Sequence, residues 1–578
     1  MRGLSLVVAV ALAAACLGCG KSGTKPAGQT TGAGSTDSAV SPAGGKLTPA
    51  ELGRQSLAGA NPAPLKDETP EDGGALIDRY GAEPDTLNPL TATDAYSSRI
   101  MEYVTDSLAQ RNLDTLELEP ALAASWELSD DHLNYTFHLR KDVKWHDGKP
   151  FTSADVVYSH GKMMDPNVNA PHLRNYYIDL ESVTAPDEWT VVFRWKKPYW
   201  LSFEFSAGIP ILPRHVFDTK DEFNTHPAGR RPVGNGMFRF VSWKTGDEIV
   251  LERNEDYYGR KPHIKSLVIR FVPDDNSALQ QAASGTIDSM RLSTQQWVNE
   301  LAKDVYRNNF NRFYVYGNGY SYIGWNLRKP FFSDKRVRRA MTHLVNRQEI
   351  LDNILYGLGK IVTGTFCIFS KSYSPEIKPW PYDPAEAKRL LDEAGWSDHD
   401  GDGIRDKVID GAPTKFSFTF MHPSAVPTSR RIAELLQEEL RKVGIEMNIQ
   451  TLEWATFLQK TQAGDFDAVT LGWTSDTVDD DPYQIWHSSQ VKEGSNYIAF
   501  ANPEADALME KARTEFDPDT RNAMYHRLNE ILHDEQPYTF LFTGPALAIV
   551  NKRVHNVIVH KMRMDVRDYF VPKNLQAR

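Results

Sequence analysis

Apolar residues at helical spacing give way repeatedly to apolar residues at two-residue spacing along most of this chain, and the joints are glycines or Asp-Pro and Asn-Pro pairs. Asp383-Pro384 offers an N-cap followed by proline in the first turn. Leu390, Leu391 and Ala394 then share one face, and Gly395 closes the helix. Ile432, Leu435, Leu436, Leu440 and Val443 recur at helical spacing as far as Gly444. Beyond it Ile445, Met447 and Ile449 alternate with Glu446, Asn448 and Gln450, as in a half-buried strand. Asn502-Pro503 and Asp517-Pro518 open two further helices, the second carrying Met524, Leu528, Ile531 and Leu532; Tyr538-Thr539-Phe540-Leu541-Phe542 reads as a buried strand. No repeat of solenoid period is present. Such punctuation predicts a mixed α/β architecture. With 578 residues the chain exceeds one ordinary core, so two or three domains are expected.

The first residues follow another logic. Arg2 precedes an apolar stretch from Leu4 to Leu17, broken by Ser5, which has the length of a signal-peptide core and is short for a bilayer span. It ends in Cys16-Leu17-Gly18-Cys19-Gly20, small residues before a cysteine as in a bacterial lipobox. Cys19 is the expected lipidation site and Cys16 the alternative, which makes residues 1–18 a lipoprotein signal peptide. Residues 19–75, rich in Gly, Ser, Thr, Pro and Ala, are expected to form a disordered tether. The chain is therefore expected outside the cytoplasm, lipid-anchored to a bacterial membrane and facing the periplasm or the extracellular space.

Net charge and cysteine count narrow the classes. The charge is −11 with no Lys/Arg block, which argues against nucleic acid. Of three cysteines only Cys367 lies in the body, so no internal disulfide can form there; between Phe366 and Ile368 it reads as a buried apolar side chain. No later apolar run is long enough for a pore. No Gly-x-Ser-x-Gly elbow, His-Glu-x-x-His helix or phosphate-binding loop occurs. An enzyme is not expected, and no cofactor is required. Arg336, Arg338 and Arg339 read as a solvated or ion-paired helix face, and Trp145-His146-Asp147-Gly148 as a strand ending in a turn.

A series of blocks then carries a resemblance. They are Asp85-Thr86-Leu87-Asn88-Pro89, Pro120 to Trp126, Tyr135 through Trp145 to Val156, Val233-Gly234-Asn235-Gly236 and Leu251 to Tyr258. Gly285-Thr286-Ile287-Asp288, Trp325-Asn326, Asp334 to Ala340, Tyr382 to Ala387 and Pro537-Tyr538 follow. In this order they resemble family 5 of the bacterial extracellular solute-binding proteins, the peptide, oligopeptide and nickel group, over about residues 76–560. The resemblance implies a two-lobed periplasmic-binding-protein-like fold (type II, cluster C-like) with an extra domain and a ligand cleft between lobes. Domain I would comprise residues 76–118, 206–315 and 535–578, domain II 119–205 and domain III 316–534. The implied role is the extracytoplasmic substrate-binding subunit of an ABC importer. It would be a monomer that captures peptides, closes over them by hinge motion and delivers them to permease subunits. Oligosaccharides, for which 13 Trp offer stacking surfaces, are the alternative solute, and nickel complexes or haem a third. A ligand-sensing receptor subunit and an exported hydrolase are the readings from other classes.

In peptide-binding members an aspartate three residues after a tryptophan takes the peptide's α-ammonium, and backbone beside that tryptophan pairs with the peptide. By position these are Asp476 for the amine, with Gly472, Trp473 and Thr474 as backbone or cleft contacts. The loop departs from the pattern: it reaches its acidic-Pro pair two residues later and is more acidic, so Asp476 as a turn cap stays open. Asp479, Asp480 and Asp481 with His487 offer carboxylates to a cation but read as a solvated turn. Asp398, Asp400, Asp402 and Asp406 have the spacing of an EF-hand-type loop, a candidate structural calcium site, although its twelfth position is Ile409. A plain Gly/Asp turn is the alternative.

Overall fold

The structure, a computed structural model, describes residues 47–65, 68–424, 426–475 and 477–577. The apolar leader, Cys16 and Cys19 lie outside the described residues, and among the described residues no helix is long and apolar enough to cross a membrane.

Three sheets organise the body. The largest has seven strands in the order Phe310–Tyr316, Pro545–Asn551, Ser289–Leu292, Gly73–Tyr80, Ile264–Phe271, Glu248–Arg253 and Phe238–Lys244. Gly73–Tyr80 runs parallel to both of its neighbours, and the other pairs are antiparallel. Both faces are covered. Ile100, Met101 and Val104 of helix Ala95–Val104 pack with Leu76 and Tyr80 on one side, while Ala278, Leu279 and Trp297 pack with Met290 and Ile549 on the other. A five-stranded sheet builds the second lobe, in the order Glu446–Leu452, Ser417–Pro423, Ala468–Ser475, Asn318–Trp325 and Tyr538–Phe540. A four-stranded antiparallel sheet, Ala123–Leu128, Asn134–Leu139, Thr190–Trp195 and Leu180–Asp187, carries its own core around Phe137, Trp145 and Trp195.

Local chemistry accounts for the helix ends. Asp383 accepts from the N–H groups of Ala385 and Glu386 at 3.0 Å each and starts Pro384–Glu393; Gly395 turns the chain out at φ 83°. Pro427–Arg441 leads through Gly444 at φ 78° into Glu446–Leu452. Asn502 and Asp517 cap Pro503–Arg513 and Pro518–Glu535. Cys367 is buried and free, and burial pushes its thiol up to about 11, consistent with a packing role. The arginine face is ion-paired: Arg336 with Asp334, Arg339 with Asp534, and the buried Arg338 with Glu535 at 2.7 Å.

Two expected boundaries are corrected. The tether was expected to run to residue 75, but Pro49–Leu57 is a helix with a capping box between Thr48 and Glu51. Trp297 donates to Ser56 Oγ at 2.8 Å, and Asn61 exchanges two hydrogen bonds with the backbone of Tyr314. On its other flank Gly53 lies so close to the loop at Tyr356 that a Cβ would sit 1.6 Å from that carbonyl oxygen. Only glycine permits this approach. Gly53→Ala is therefore expected to lift the helix off the body, read as faster amide exchange of residues 49–57 with the sheets unchanged. The second correction concerns residue 535. Tyr538–Phe540 pairs with Asn318–Trp325, so the chain returns to the first lobe only at Pro545.

The lobes are joined where Phe310–Tyr316 continues through Gly317 into Asn318–Trp325, and where Phe542–Thr543 continues through Gly544 into Pro545–Asn551. These segments run antiparallel side by side, Tyr316 opposite Pro545 and Ile323 opposite Thr539. A Cβ at Gly317 would meet nothing within 4 Å, so the joint has room to bend. At the far end of Pro545–Asn551 stands a buried ion pair: Asp288 accepts from Arg553 Nε at 2.7 Å and from the Ile77 N–H at 3.0 Å, and the same guanidinium donates to Ala75 O at 2.7 Å.

Candidate functional site

The strand Ala468–Ser475 brings Gly472, Trp473 and Thr474 to the second lobe's sheet. Asn318–Trp325 pairs with it along its whole length. On the opposite edge Ser417–Pro423 reaches only Ala468 and Val469. From residue 470 to residue 473 that edge pairs with no strand among the described residues. The Trp473 side chain is 3% exposed and packs between the rings of Tyr322 and Tyr497, at 6.2 and 5.8 Å. It belongs to the core, which leaves its backbone as the part a solute could reach.

Asp476 lies outside the described residues. Its neighbours are pinned from both sides by one carboxylate: Ser475 Oγ and Thr477 Oγ1 both donate to Asp480 Oδ1, at 2.7 and 2.8 Å, and Asn318 Nδ2 donates to Oδ2 at 2.6 Å. Burial raises the Asp480 carboxyl above its ordinary range, opposed by these same donors. Of the three consecutive aspartates Asp479 is exposed, as in a solvated turn, while Asp480 and Asp481 are half-buried. They fan apart, Asp479 accepting from Ser370 Oγ at 2.7 Å and Asp481 turning towards the four-stranded domain, while His487 stacks on Tyr483 at 4.1 Å.

Asp481 ties the second lobe to the four-stranded domain. Tyr199, just after Thr190–Trp195, donates its hydroxyl to Asp481 Oδ2 at 2.8 Å, and Arg513 Nε reaches the same oxygen at 2.9 Å. The Trp200 N–H donates to Arg513 O at 3.0 Å, Arg521 lies over the Trp200 ring at 4.2 Å, and His132 stacks on Phe516 at 3.6 Å. Burial first, and Asp481 second, hold the Tyr199 phenol well above its usual range, so it stays a donor. Tyr199→Phe is expected to speed solute release roughly tenfold, the factor lost with one hydrogen bond to a charged group, as measured by stopped-flow tryptophan fluorescence. None of these partners was readable from local pattern, because Tyr199 and Asp481 are 282 residues apart.

In the acidic loop, Asp398, Asp400 and Asp406 offer oxygens within 4.8 Å of one another. Asp402 does not join them; it pairs with Lys415, whose ammonium also lies 3.4 Å from Asp400. Asp398 already accepts from the N–H groups of Gly401 and Gly403 at 2.8 and 3.0 Å, and Asp406 from that of His399 at 2.9 Å.

The second lobe thus carries a strand edge at residues 470–473 that pairs with no strand among the described residues, and Tyr199, Asp481 and Arg513 tie that lobe to the four-stranded domain. Residues 117–495 match the family model of bacterial extracellular solute-binding proteins, family 5. The chain belongs to this family. It is 33% identical over 488 residues to the oligopeptide-binding protein AppA of Bacillus subtilis, covering 82% of this chain and 87% of that one. The structure of AppA in complex with a nonapeptide superposes with a TM-score of 0.74, at 31% identity over 87% of this chain and 100% of that one. Haem-binding protein A of Haemophilus influenzae is 29% identical over 79% of this chain and 84% of its own. NikZ of Campylobacter jejuni, solved with Ni(L-His), gives a TM-score of 0.73 at 26% identity, covering 86% and 99%. The two-lobed family 5 fold and the solute-binding role follow, and members of the family work outside the cytoplasm.

Proposed function

We propose that this family 5 protein captures peptides and hands them to the permease of an ABC importer, without catalysis. The observation that carries the peptide reading is the edge of Ala468–Ser475 from residue 470 to residue 473, which pairs with no strand among the described residues. An extended backbone supplies the missing partner, and main-chain pairing gives affinity without reading side chains. In this reading Gly472 and Trp473 offer backbone groups, Thr474 is a cleft contact and Asp476 takes the α-ammonium; Asp480 holds Ser475 and Thr477 on either side of position 476. The relatives' solutes make peptides the first choice and haem or a nickel complex the second. For oligosaccharides the stacking surfaces narrow to the half-buried Trp126, Trp189, Trp200, Trp243, Trp380 and Trp454, since the other seven of the 13 Trp are buried. Lipidation at Cys19, or at Cys16, would anchor the body beside the permease.

A thermal-shift screen of the lipid-free chain from Gly20 tests this. Peptides with free amino termini are expected to raise Tm, by an amount set by RT ln(1 + [L]/Kd). A shift from haem, nickel–histidine or oligosaccharides alone would overturn the peptide reading and leave the family role standing.

A structural calcium ion in the loop at residues 398–406 would draw on Asp398, Asp400 and Asp406 and displace Lys415 from Asp400. Lys415→Met is therefore expected to make Tm rise with millimolar Ca²⁺ more than in the parent chain. Equal insensitivity of both proteins would reduce the loop to a turn.

A further inference from the structure

The first lobe carries two guanidinium groups near the hinge that share one carboxylate, Asp78, and form no direct hydrogen bond among the described residues. Strands Gly73–Tyr80 and Ser289–Leu292 are parallel neighbours, with Asp78 opposite Ser289. Side chains alternate along a strand, so Asp78 and Tyr80 share a face with Ser289 and Arg291. Helix Ala95–Val104 covers that face, the Tyr80 and Tyr96 rings lying 5.2 Å apart, and it brings Arg99 and Tyr103 to the same group. Arg291 is opposite Ala548, three residues from Pro545 where the chain enters the lobe, or about 10 Å at strand rise. The group therefore sits at the hinge end of the cleft.

Three features set it apart. Arg291 is exposed although its strand is internal to the sheet, yet the protein crowding it, followed by the charge of Arg99, pulls its guanidinium down to about 10. Open access combined with crowding describes a wall of a deep cleft. Second, neither Arg99 nor Arg291 forms a hydrogen bond or ion pair among the described residues, whereas the buried Arg338 and Arg553 are both engaged. Asp78 is in the group but bonds to the Ser289 side chain and pairs with neither arginine. Third, the Tyr80 hydroxyl is buried, with the residue 3% exposed, and has no partner. Two guanidinium charges are set against the single carboxylate of Asp78, which leaves one positive charge in excess, and a buried polar atom left unmet adds a further cost. Both costs vanish when an anion arrives.

We propose that Arg99 and Arg291, with the Tyr80 hydroxyl beside them, form an anion subsite on the first lobe that takes a carboxylate of the bound solute. The planar guanidinium fork matches a carboxylate in shape and charge. The subsite would select for solutes with a negative group, and it rests on the peptide reading for the source of that group: the C-terminal carboxylate or an acidic side chain.

Calorimetric titration of the lipid-free chain separates the cases. The probes are alanine pentapeptides as free acid and as C-terminal amide, and an amidated pair differing by Glu or Gln at one position. The parent protein is expected to prefer one charged form by at least about tenfold. Preference for the free acid over the amide identifies the C-terminal carboxylate as the source, and preference for Glu over Gln the side chain. Arg99→Gln and Arg291→Gln should each erase the preference by weakening the charged peptide alone, and Arg291→Lys should keep part of it. The ligand-free Tm of the glutamine variants should change little, because the repulsion between the two guanidinium groups and their attraction for Asp78 are lost together; a merely structural arginine would lower it. Equal binding of charged and uncharged peptides, or a preference surviving Arg99→Gln with Arg291→Gln, would overturn the subsite and leave the peptide reading intact. Should no peptide bind the parent protein, the peptide reading fails. The subsite is then decided by citrate and succinate: saturable stabilisation lost in the double variant supports it, and none overturns it.

Discussion

Asp288→Ala is expected to cost the first lobe about 3–5 kcal/mol. The Asp288 carboxylate is fully buried and Arg553 is 6% exposed. Removing the acid leaves a guanidinium with no water and one partner fewer. The pair also stitches three strands: Asp288 takes the Ile77 N–H, its own backbone carbonyl takes the N–H of Asn551, and Arg553 donates to Ala75. The loss should appear as an earlier first-lobe transition in scanning calorimetry, with the second lobe's transition in place. Asp288→Leu combined with Arg553→Met should lose less than Asp288→Ala alone, because a pair replaced by apolar residues strands no charge. Should the double variant be as unstable as the single, the strand-stitching hydrogen bonds, and not the stranded charge, carry the stability.

Much of this architecture is legible locally. Helix starts at Asp383, Asn502 and Asp517 depend on a side chain reaching an N–H two or three residues on, so the signal and its partner share one window. The burial of Cys367 between two apolar neighbours is similarly local. The exchange between lobes is not. Tyr538–Phe540 is a buried strand in either lobe by composition, and its place is decided by Tyr322, whose ring stacks on Tyr538 at 3.7 Å. The N-terminal helix did carry a signal, the capping box of Thr48 and Glu51, but its small residues read as a tether. Those residues are what the docking requires, since Gly53 seats against backbone. The aspartates from Asp479 to Asp481 look solvated as a run and become a polar framework only when Ser370, Asn318, Tyr199 and Arg513 arrive from elsewhere. Arg99 and Arg291 gave no signal, because what marks them is the absence of a direct hydrogen bond among the described residues of the folded chain.

Asp476→Ala is expected to weaken peptides with a free amino terminus by roughly 2–5 kcal/mol, more than tenfold and up to about a thousandfold or beyond. The reason is desolvation. When the lobes meet through Tyr199, Asp481 and Arg513, an ammonium enclosed between them loses water and must find a carboxylate. N-acetylation removes the charge from the other side, so the two changes form a cycle. Acetylated peptide should bind parent and variant with similar affinity, and the coupling between the two changes should account for most of the loss. The edge of Ala468–Ser475 predicts what remains: main-chain pairing is untouched in both partners, so long peptides should retain weak binding where dipeptides retain none. Equal losses for free and acetylated peptides would mean that Asp476 shapes the loop, as a cap does, and does not meet the amine. Asp480→Ala separates these roles further. It frees Ser475 and Thr477 on either side of position 476, so it should weaken both peptide forms alike while leaving the amine preference of the parent chain in place.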